Sequence, residues 1–284
     1  MKPAPFAYHA PTDLQEALKL LAALAPQDGR ILAGGQTLVP TMAFRLARPA
    51  HLIDINGIRE LDGVSVQGEC LRIGACTRHA FFETGDVGGP LGDLLRKVVR
   101  FIAHYPIRQR GTFCGSVANA DPSSEWCCLT AALDGHIVAE SARGTRRIAA
   151  KDFYKAIMTT DLREDELITA VELPILAEGT RTGFCEFSRR AGDFAIAMAL
   201  VTYRAEHGRI ADAHVGLGGA EATPRRIAGA EAVLNGKEPR PEIFAAAGAA
   251  AAAAIDPIED SNNPVGYRRA LVQTLVERAL ASAA

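Results

Sequence analysis

Leu14, Ala17, Leu18, Leu21 and Ala22 recur at three- and four-residue intervals, the spacing of one face of a helix. Asp13 precedes that run and Glu16 follows three residues later, a capping-box signature for the helix start, with Gly29 expected to end it. Residues 30–33 then read as a short apolar strand, 38–46 as a short helix whose start Pro40 confines, and 52–55 as a second strand closed by the Asn56-Gly57 turn. Strand, helix, strand in that order is a small βαβ-type unit. It puts Gly34-Gly35 at the carboxyl end of its first strand, where α/β folds bind phosphorylated ligands.

Alternation of Val64 and Val66, then Leu71 and Ile73, around Gly68 predicts a hairpin. Thr77 is placed to cap a short helix through Phe81 and Phe82, and Leu94, Leu95, Val98, Val99 and Ile102 form the apolar face of a longer helix over 91–104, ended by Pro106. The basic stretch Arg108-Gln109-Arg110 leads into residues 111–125, the segment around which the chain is organised. It opens with small residues, Gly111, Thr112, Gly115 and Ser116, and ends in Asp121-Pro122, read as the N-cap and first residue of a helix carried by 126–133. A small-residue turn feeding a helix N-terminus offers free N–H donors and the positive end of the dipole, which suits phosphate or another electron-rich group. Residues 137–138 and 146–148 predict an antiparallel pair, Asp152-Phe153-Tyr154 the opening of a short helix, and 166–173 a strand stopped by Pro174.

Residues 176–182 are polar, contain glycine and lack periodicity, so a domain boundary is expected there. Beyond it 183–188 reads as a strand and 189–195 as a charged turn, while periodicity leaves 196–203 and 210–217 open between two strands and a helix with a strand. Pro224-Arg225-Arg226 is expected to begin a helix to Leu234; 241–254 and 267–281 give two more, the last with Leu271, Leu275, Val276 and Leu280 on one face. A small sheet backed by three helices is an α+β module.

Composition narrows the function. In 284 residues, 48% are hydrophobic and 23% charged, enough for a substantial core and no case for wholesale disorder. A net charge of -2, from 31 basic and 33 acidic residues, leaves no electrostatic footprint for nucleic acid or an acidic membrane. Cys70, Cys76, Cys114, Cys127, Cys128 and Cys185 form no C-x-x-C pair, which argues against a zinc ribbon or an iron–sulfur cluster bound by this chain alone. Reduced thiols, an N-terminus without an apolar signal core and the lack of a spanning segment point to a cytoplasmic protein. Neither Gly34-Gly35 nor Gly216-Leu217-Gly218-Gly219 fits the dinucleotide fingerprint or the P-loop. The seven histidines are scattered, and no residue stands out as a nucleophile or general base.

Taken together, residues 32–40 (LAGGQTLVP), 111–122 (GTFCGSVANADP) and 190–195 (RAGDFA) resemble the FAD-binding medium subunit of molybdenum hydroxylases, the flavoprotein family of xanthine dehydrogenase and aerobic carbon monoxide dehydrogenase. The resemblance extends over essentially the whole chain. It implies an α+β fold of the vanillyl-alcohol-oxidase or PCMH type: an FAD-binding domain of two subdomains (1–57 and 58–176) followed by a small C-terminal domain (177–284). It also implies the site. Leu32, Ala33, Gly34, Gly35, Gln36, Thr37, Leu38 and Val39 would wrap the FAD pyrophosphate; Gly111, Thr112, Cys114, Gly115, Ser116 and Ala118 would lie along the flavin and its ribityl chain. Asp121 or Glu125 would accept from ribityl or ribose hydroxyls, Ile168 would pack near the ring, and Asp193 and Phe194 would sit beside it. The family usually has Thr-Ile-Gly-Gly where this chain has Thr112-Phe113-Cys114-Gly115, so a Cys stands in place of a glycine.

By that likeness the chain carries FAD in a dimer of heterotrimers, beside a large subunit with a molybdenum cofactor and a small subunit with two [2Fe-2S] clusters. Electrons from those clusters would pass through FAD to oxygen, NAD, a quinone or another acceptor. Two other readings stay open at the level of sequence: a free-standing FAD oxidase of the same fold, and a scaffold that has lost its flavin.

Overall fold

The computed structural model describes residues 2–284. The chain opens with β1 (Ala7–His9), α1 (Leu14–Leu24), β2 (Gly29–Leu32), α2 (Leu38–Ala43) and β3 (His51–Asp54). Asp13 caps α1, its carboxylate accepting the Glu16 N–H at 2.8 Å; the Glu16 carboxylate in return accepts the N–H of Thr12, at 3.2 Å. Gly29 is not the stop. Asp28 takes the left-handed conformation (φ 58°) and Gly29 already lies in β2, where a Cβ would come 2.7 Å from the Leu24 carbonyl oxygen. All pairs in this sheet are parallel, in the order β1-β3-β2, which completes the βαβ unit. α2 ends at Ala43, short of residue 46.

The middle of the chain contains β4 (Val64–Gln67), β5 (Cys70–Gly74), α3 (Phe81–Thr84), α4 (Gly89–Val99), α5 (Tyr105–Arg108), α6 (Phe113–Asn119) and α7 (Glu125–Ala132). After these come β6 (His136–Ser141), β7 (Gly144–Ala149), α8 (Ala150–Phe153), β8 (Tyr154–Ala156), β9 (Thr159–Thr160) and β10 (Leu167–Pro174). The antiparallel order β4-β5-β10-β6-β7 puts the last of these strands at the centre. Several local expectations are corrected. The Thr77 hydroxyl donates to the Gly63 carbonyl at 2.8 Å instead of capping α3. α4 stops at Val99, Ala103 is left-handed, and Pro106 sits in the first turn of α5, where its missing N–H costs nothing.

The most consequential correction concerns residues 113–119, which form helix α6 where a turn is expected. Thr112 caps it, accepting the Gly115 N–H on Oγ1 at 3.0 Å. α7 begins later than expected. Ser124 is its cap, and Asp121 instead accepts the Ser123 N–H at 2.9 Å in a side-chain-closed turn. Asp152 and Phe153 end α8, and Tyr154 opens β8.

The rest comprises β11 (Arg181–Phe187), β12 (Ala197–Glu206), β13 (Arg209–Gly218), β14 (Arg225–Arg226), α9 (Ala228–Leu234), α10 (Pro241–Ala254) and α11 (Val265–Ala283). The undecided pair is two long strands in the antiparallel sheet β11-β12-β13-β14. Arg225 and Arg226 extend that sheet, so the helix starts at Ala228 and not at Pro224. Alternation along β12 links two cores: Met198 and Leu200 join the core of the preceding residues, while Ala197, Ala199, Val201 and Tyr203 join the core with α9, α10 and α11. The sheet meets α7 closely, since a Cβ on Gly218 would lie 3.0 Å from the Cys128 Cβ. Among the described residues, no helix is long and apolar enough to cross a membrane.

Candidate functional site

Three loops and one helix N-terminus converge on a cleft of about 740 Å³, within the usual size of cofactor sites. Leu32, Ala33, Gly34, Gly35, Gln36, Thr37 and Leu38 line one side. Gly111, Thr112, Cys114, Gly115, Ser116, Ala118, Asp121 and Glu125 line the next, and Ile168, Asp193 and Phe194 complete the wall. Val39 is the exception: its N–H donates to the Gly35 carbonyl at 3.0 Å, its side chain is half exposed, and it does not line the cleft.

The two glycine segments lie back to back. A Cβ on Gly34 would come 2.6 Å from the Gly111 Cα and strike the Arg110 carbonyl oxygen; one on Gly111 would lie 2.5 Å from His79 Nε2. Gly35 has φ +70°, which glycine adopts at no steric cost. A polar network locks this contact. Asn56 Nδ2–H donates to the Ala33 carbonyl (2.8 Å), and the Arg78 guanidinium donates to Asn56 Oδ1 (2.6 Å) and to the Arg110 carbonyl. Among the described residues, the N–H groups of residues 34–38, Thr112 and Cys114 meet no acceptor in the chain. The cleft therefore presents rows of backbone donors, the chemistry of an anion cradle.

Cys114 occupies its glycine's place without strain. It is helical, has no positive φ, and is 2% exposed, with its thiol turned to the Ile73 carbonyl of β5 at 3.5 Å. Gly115 does need to be small, since a Cβ there would lie 2.7 Å from Thr112 Oγ1.

Beneath α6, Trp126 stacks on Phe113 (centroids 4.6 Å apart) and tilts against Phe82, and its Nε1–H donates to His79 Nδ1 at 2.9 Å. That bond leaves the proton of neutral His79 on Nε2. Burial, with Arg108 and Arg78 nearby, pushes the His79 pKa down to about 4, so the ring is neutral. His79, Leu162 and Arg163 also line the cleft, and sequence reasoning did not single them out. Arg146 fixes the Leu162–Arg163 loop by holding Glu166, whose carboxylate also accepts the Arg163 N–H at 2.8 Å. No spacing in the sequence marks that wall.

Two carboxyls near the cleft are costly. Burial raises the Glu125 pKa, and burial followed by the charge of Glu125 raises that of Glu186, whose buried Oε2 has no hydrogen-bond partner. Between the ordinary carboxylate value of 4.5 and these raised values the folded chain binds protons that the unfolded chain releases. The stability this contributes is full below 4.5 and is lost as pH rises through the raised values. Glu186→Gln should therefore stabilise the flavin-free chain by about 1–2 kcal/mol at pH 8 and by much less at pH 5. Urea unfolding at both pH values checks this, and an equal gain at the two would contradict it.

A family model described as "FAD binding domain in molybdopterin dehydrogenase" matches residues 4–176, and one described as "CO dehydrogenase flavoprotein C-terminal domain" matches residues 182–283. The chain belongs to this flavoprotein family. It is the FAD-carrying, electron-transferring subunit of a molybdenum dehydrogenase. It is 36% identical, over all of this chain and 99% of the relative, to the nicotine 6-hydroxylase medium subunit of Paenarthrobacter nicotinovorans. It is 34% identical to the carbon monoxide dehydrogenase medium chain of Hydrogenophaga pseudoflava, over all of this chain and 98% of that one. A solved carbon monoxide dehydrogenase from Hydrogenophaga pseudoflava superposes with a TM-score of 0.94, 36% identity and coverage of 100% of this chain and 98% of that one. Quinoline 2-oxidoreductase from Pseudomonas putida 86 gives 0.93, at 34% identity and the same coverage. The α+β, two-subdomain FAD-binding fold with a small C-terminal domain is the fold of this family.

Proposed function

We propose that the cleft holds FAD with its diphosphate against the free N–H groups of residues 34–38. The observation that carries this is the row of unpartnered N–H donors on residues 34–38, Thr112 and Cys114, in two segments that Gly34 and Gly111 allow to pack against each other. Thr112, Gly115, Ser116 and Ala118 run along the ribityl chain and flavin, and Asp121 or Glu125 accepts from the hydroxyls. Ile168 packs near the ring, and Asp193 and Phe194 flank it. Bound flavin supplies the redox chemistry; the chain's residues bind it, orient it and limit its contact with water. Val39, in the first turn of α2, lies outside the cleft lining.

In this reading electrons arrive from iron–sulfur clusters of a small subunit, reduced at a molybdenum cofactor in a large one, and leave for an external acceptor. The assembly is a dimer of heterotrimers in the cytoplasm, and residues 1–57, 58–176 and 177–284 form its three units within this chain. What supports a subunit role is length and similarity: the chain spans essentially the whole of medium subunits of multi-subunit enzymes. Purification of the native complex tests it. Two larger and smaller companion chains with molybdenum, iron and one FAD per copy of this chain are expected. A chain that purifies alone with FAD and oxidises a small donor unaided would establish the free-standing oxidase instead.

A further inference from the structure

Residues 188–196 form a strap between β11 and β12 that carries Asp193 and Phe194 to the cleft. It has little hydrogen bonding of its own: the Asp193 N–H donates to the Arg190 carbonyl (3.1 Å) and the Ser188 hydroxyl to the same oxygen (2.8 Å). At its tip Gly192 presses on the α4–α5 connection, where a Cβ would lie 2.5 Å from the His104 ring. Phe194 is 74% exposed. Gly192, Asp193 and Phe194 line the cleft on one side and, on the other, an open hollow of about 470 Å³ walled by Asp260, Asn263 and Arg268. The strap is thus a partition with free space behind it.

What keeps it forward is found in the first turn of α11. Arg268 is 6% exposed, and its Nη1 donates both to the Ile196 carbonyl (2.6 Å) and to the Gly219 carbonyl (2.9 Å). Its Nη2 donates to Asp260 (2.8 Å), which is itself fixed by the N–H groups of Asn262 and Asn263 and by the Asn263 amide. The Gly219 N–H donates to the Pro122 carbonyl at 2.7 Å, and the Ser123 hydroxyl donates to the Ala195 carbonyl at 2.9 Å. The guanidinium, through Gly219, and the Ser123 hydroxyl, directly, thus tie the root of the strap to the segment that carries Asp121 and Glu125, an adjoining wall of the cleft. A buried cation that meets two carbonyls and one carboxylate uses the planar fork of arginine, which the single ammonium of lysine cannot reproduce.

We propose that Arg268 is a positioning residue that holds the 188–196 strap forward over the flavin cleft, with Asp260 as its fixed counter-charge. Phe194 then closes the cleft because its backbone is clamped two residues downstream, and losing the clamp lets the strap fall back into the hollow behind it. The importance of the strap for the flavin rests on the reading above; the clamp itself does not.

Hydrogen exchange, read by mass spectrometry on the full chain, tests the clamp apart from any activity. In Arg268→Gln, exchange of the hydrogen-bonded amides within 189–196 and 121–125, Asp193 and Ile196 in the strap and Ser123 and Ser124 beside it, is expected to accelerate roughly 10- to 100-fold, the range for losing hydrogen bonds to a charged donor. Peptides of β12 and β13 beyond residue 198 should keep their wild-type rates. Asp260→Asn should move the same segments less, and Arg268→Lys should fall between wild type and Arg268→Gln. Wild-type exchange of the strap in folded Arg268→Gln would overturn the proposal. So would acceleration spread evenly over the strap, β13 and α11, the sign of a merely structural residue. Should Arg268→Gln fail to fold, Asp260→Asn decides: strap-specific acceleration supports the clamp, and its absence overturns it. FAD release measured alongside is expected to quicken about 10-fold in Arg268→Gln. A wild-type chain that takes up no FAD would refute the cleft reading and leave the exchange result standing.

Discussion

Alanine at position 34 is expected to leave a folded chain that no longer retains FAD. The added Cβ meets backbone on the facing segment, 2.6 Å from the Gly111 Cα and against the Arg110 carbonyl. Neither atom is the end of a flexible side chain. The Arg110 carbonyl is held by Arg78, which is bonded through Asn56 to the Ala33 carbonyl, so the two segments are locked to each other on both sides of the intruding methyl. Relief requires residues 33–37 and 110–112 to part, which spoils the donor rows on both. We expect FAD affinity to fall at least about 100-fold, the equivalent of about 2.7 kcal/mol. The cost to the fold should be about 1–3 kcal/mol, as for other overpacked sites. Fluorescence titration of flavin-free protein checks the first and urea unfolding the second. Gly266→Ala, where nothing lies within 4 Å of the added carbon, is the control and should bind as wild type. Stoichiometric FAD in Gly34→Ala would show that the two segments do not act as one cradle.

Trp126→Ala is expected to produce the largest loss of stability, about 3–5 kcal/mol. Trp126 is fully buried, stacks on Phe113 in the first turn of α6, and touches Phe82. Its removal leaves a cavity directly beneath the helix whose cap, Thr112, lines the cleft. It also strips His79 Nδ1 of its donor. The neutral state of His79 would then depend on burial and on Arg108 and Arg78 alone. Trp126→Phe should recover part of the stability by filling most of the volume while still lacking that donor. A loss under about 1 kcal/mol in Trp126→Ala would mean the cluster relaxes and is not a rigid base.

These two positions also show what was legible in the chain. Periodicity placed α1 and α11 because each has enough turns for an apolar face to repeat, whereas α10 was marked by Pro241 and the alanine run behind it. Alternation placed β5 and β10, though nothing local showed that β10 sits between β5 and β6. Residues 113–119 read as a turn because the small residues Gly111, Thr112, Gly115 and Ser116 suit one, and the evidence for a helix is a tertiary fact: Phe113 and Val117 bury their side chains in the core. Asp121-Pro122 looked like a helix start since both residues suit one, yet Ser124, equally suited, stands nearer the first buried turn of α7. Arg225 and Arg226 became strand because the exposed edge of β13 was there to pair with, which no property of Pro224 announces.

The glycine segments line the cleft, as their pattern suggested, but for a partly different reason. Gly34 is small for the protein's sake, to let two segments touch, while the N–H groups around it have no acceptor in the chain. Asn56, Arg78 and His79 escaped notice because they reach the site from other parts of the chain, without a spacing that could reveal it. Arg268 is further still, separated from Ile196 in sequence by β12, β13, β14, α9 and α10 and brought to it by α11.

The most direct measurement is a structure of the chain loaded with FAD. The diphosphate is expected within hydrogen-bonding distance of the N–H groups of residues 34–38, and the ring system between Ile168 and the strap bearing Phe194. A flavin seated elsewhere, or a diphosphate contacted chiefly by cationic side chains and not by those backbone donors, would contradict this placement.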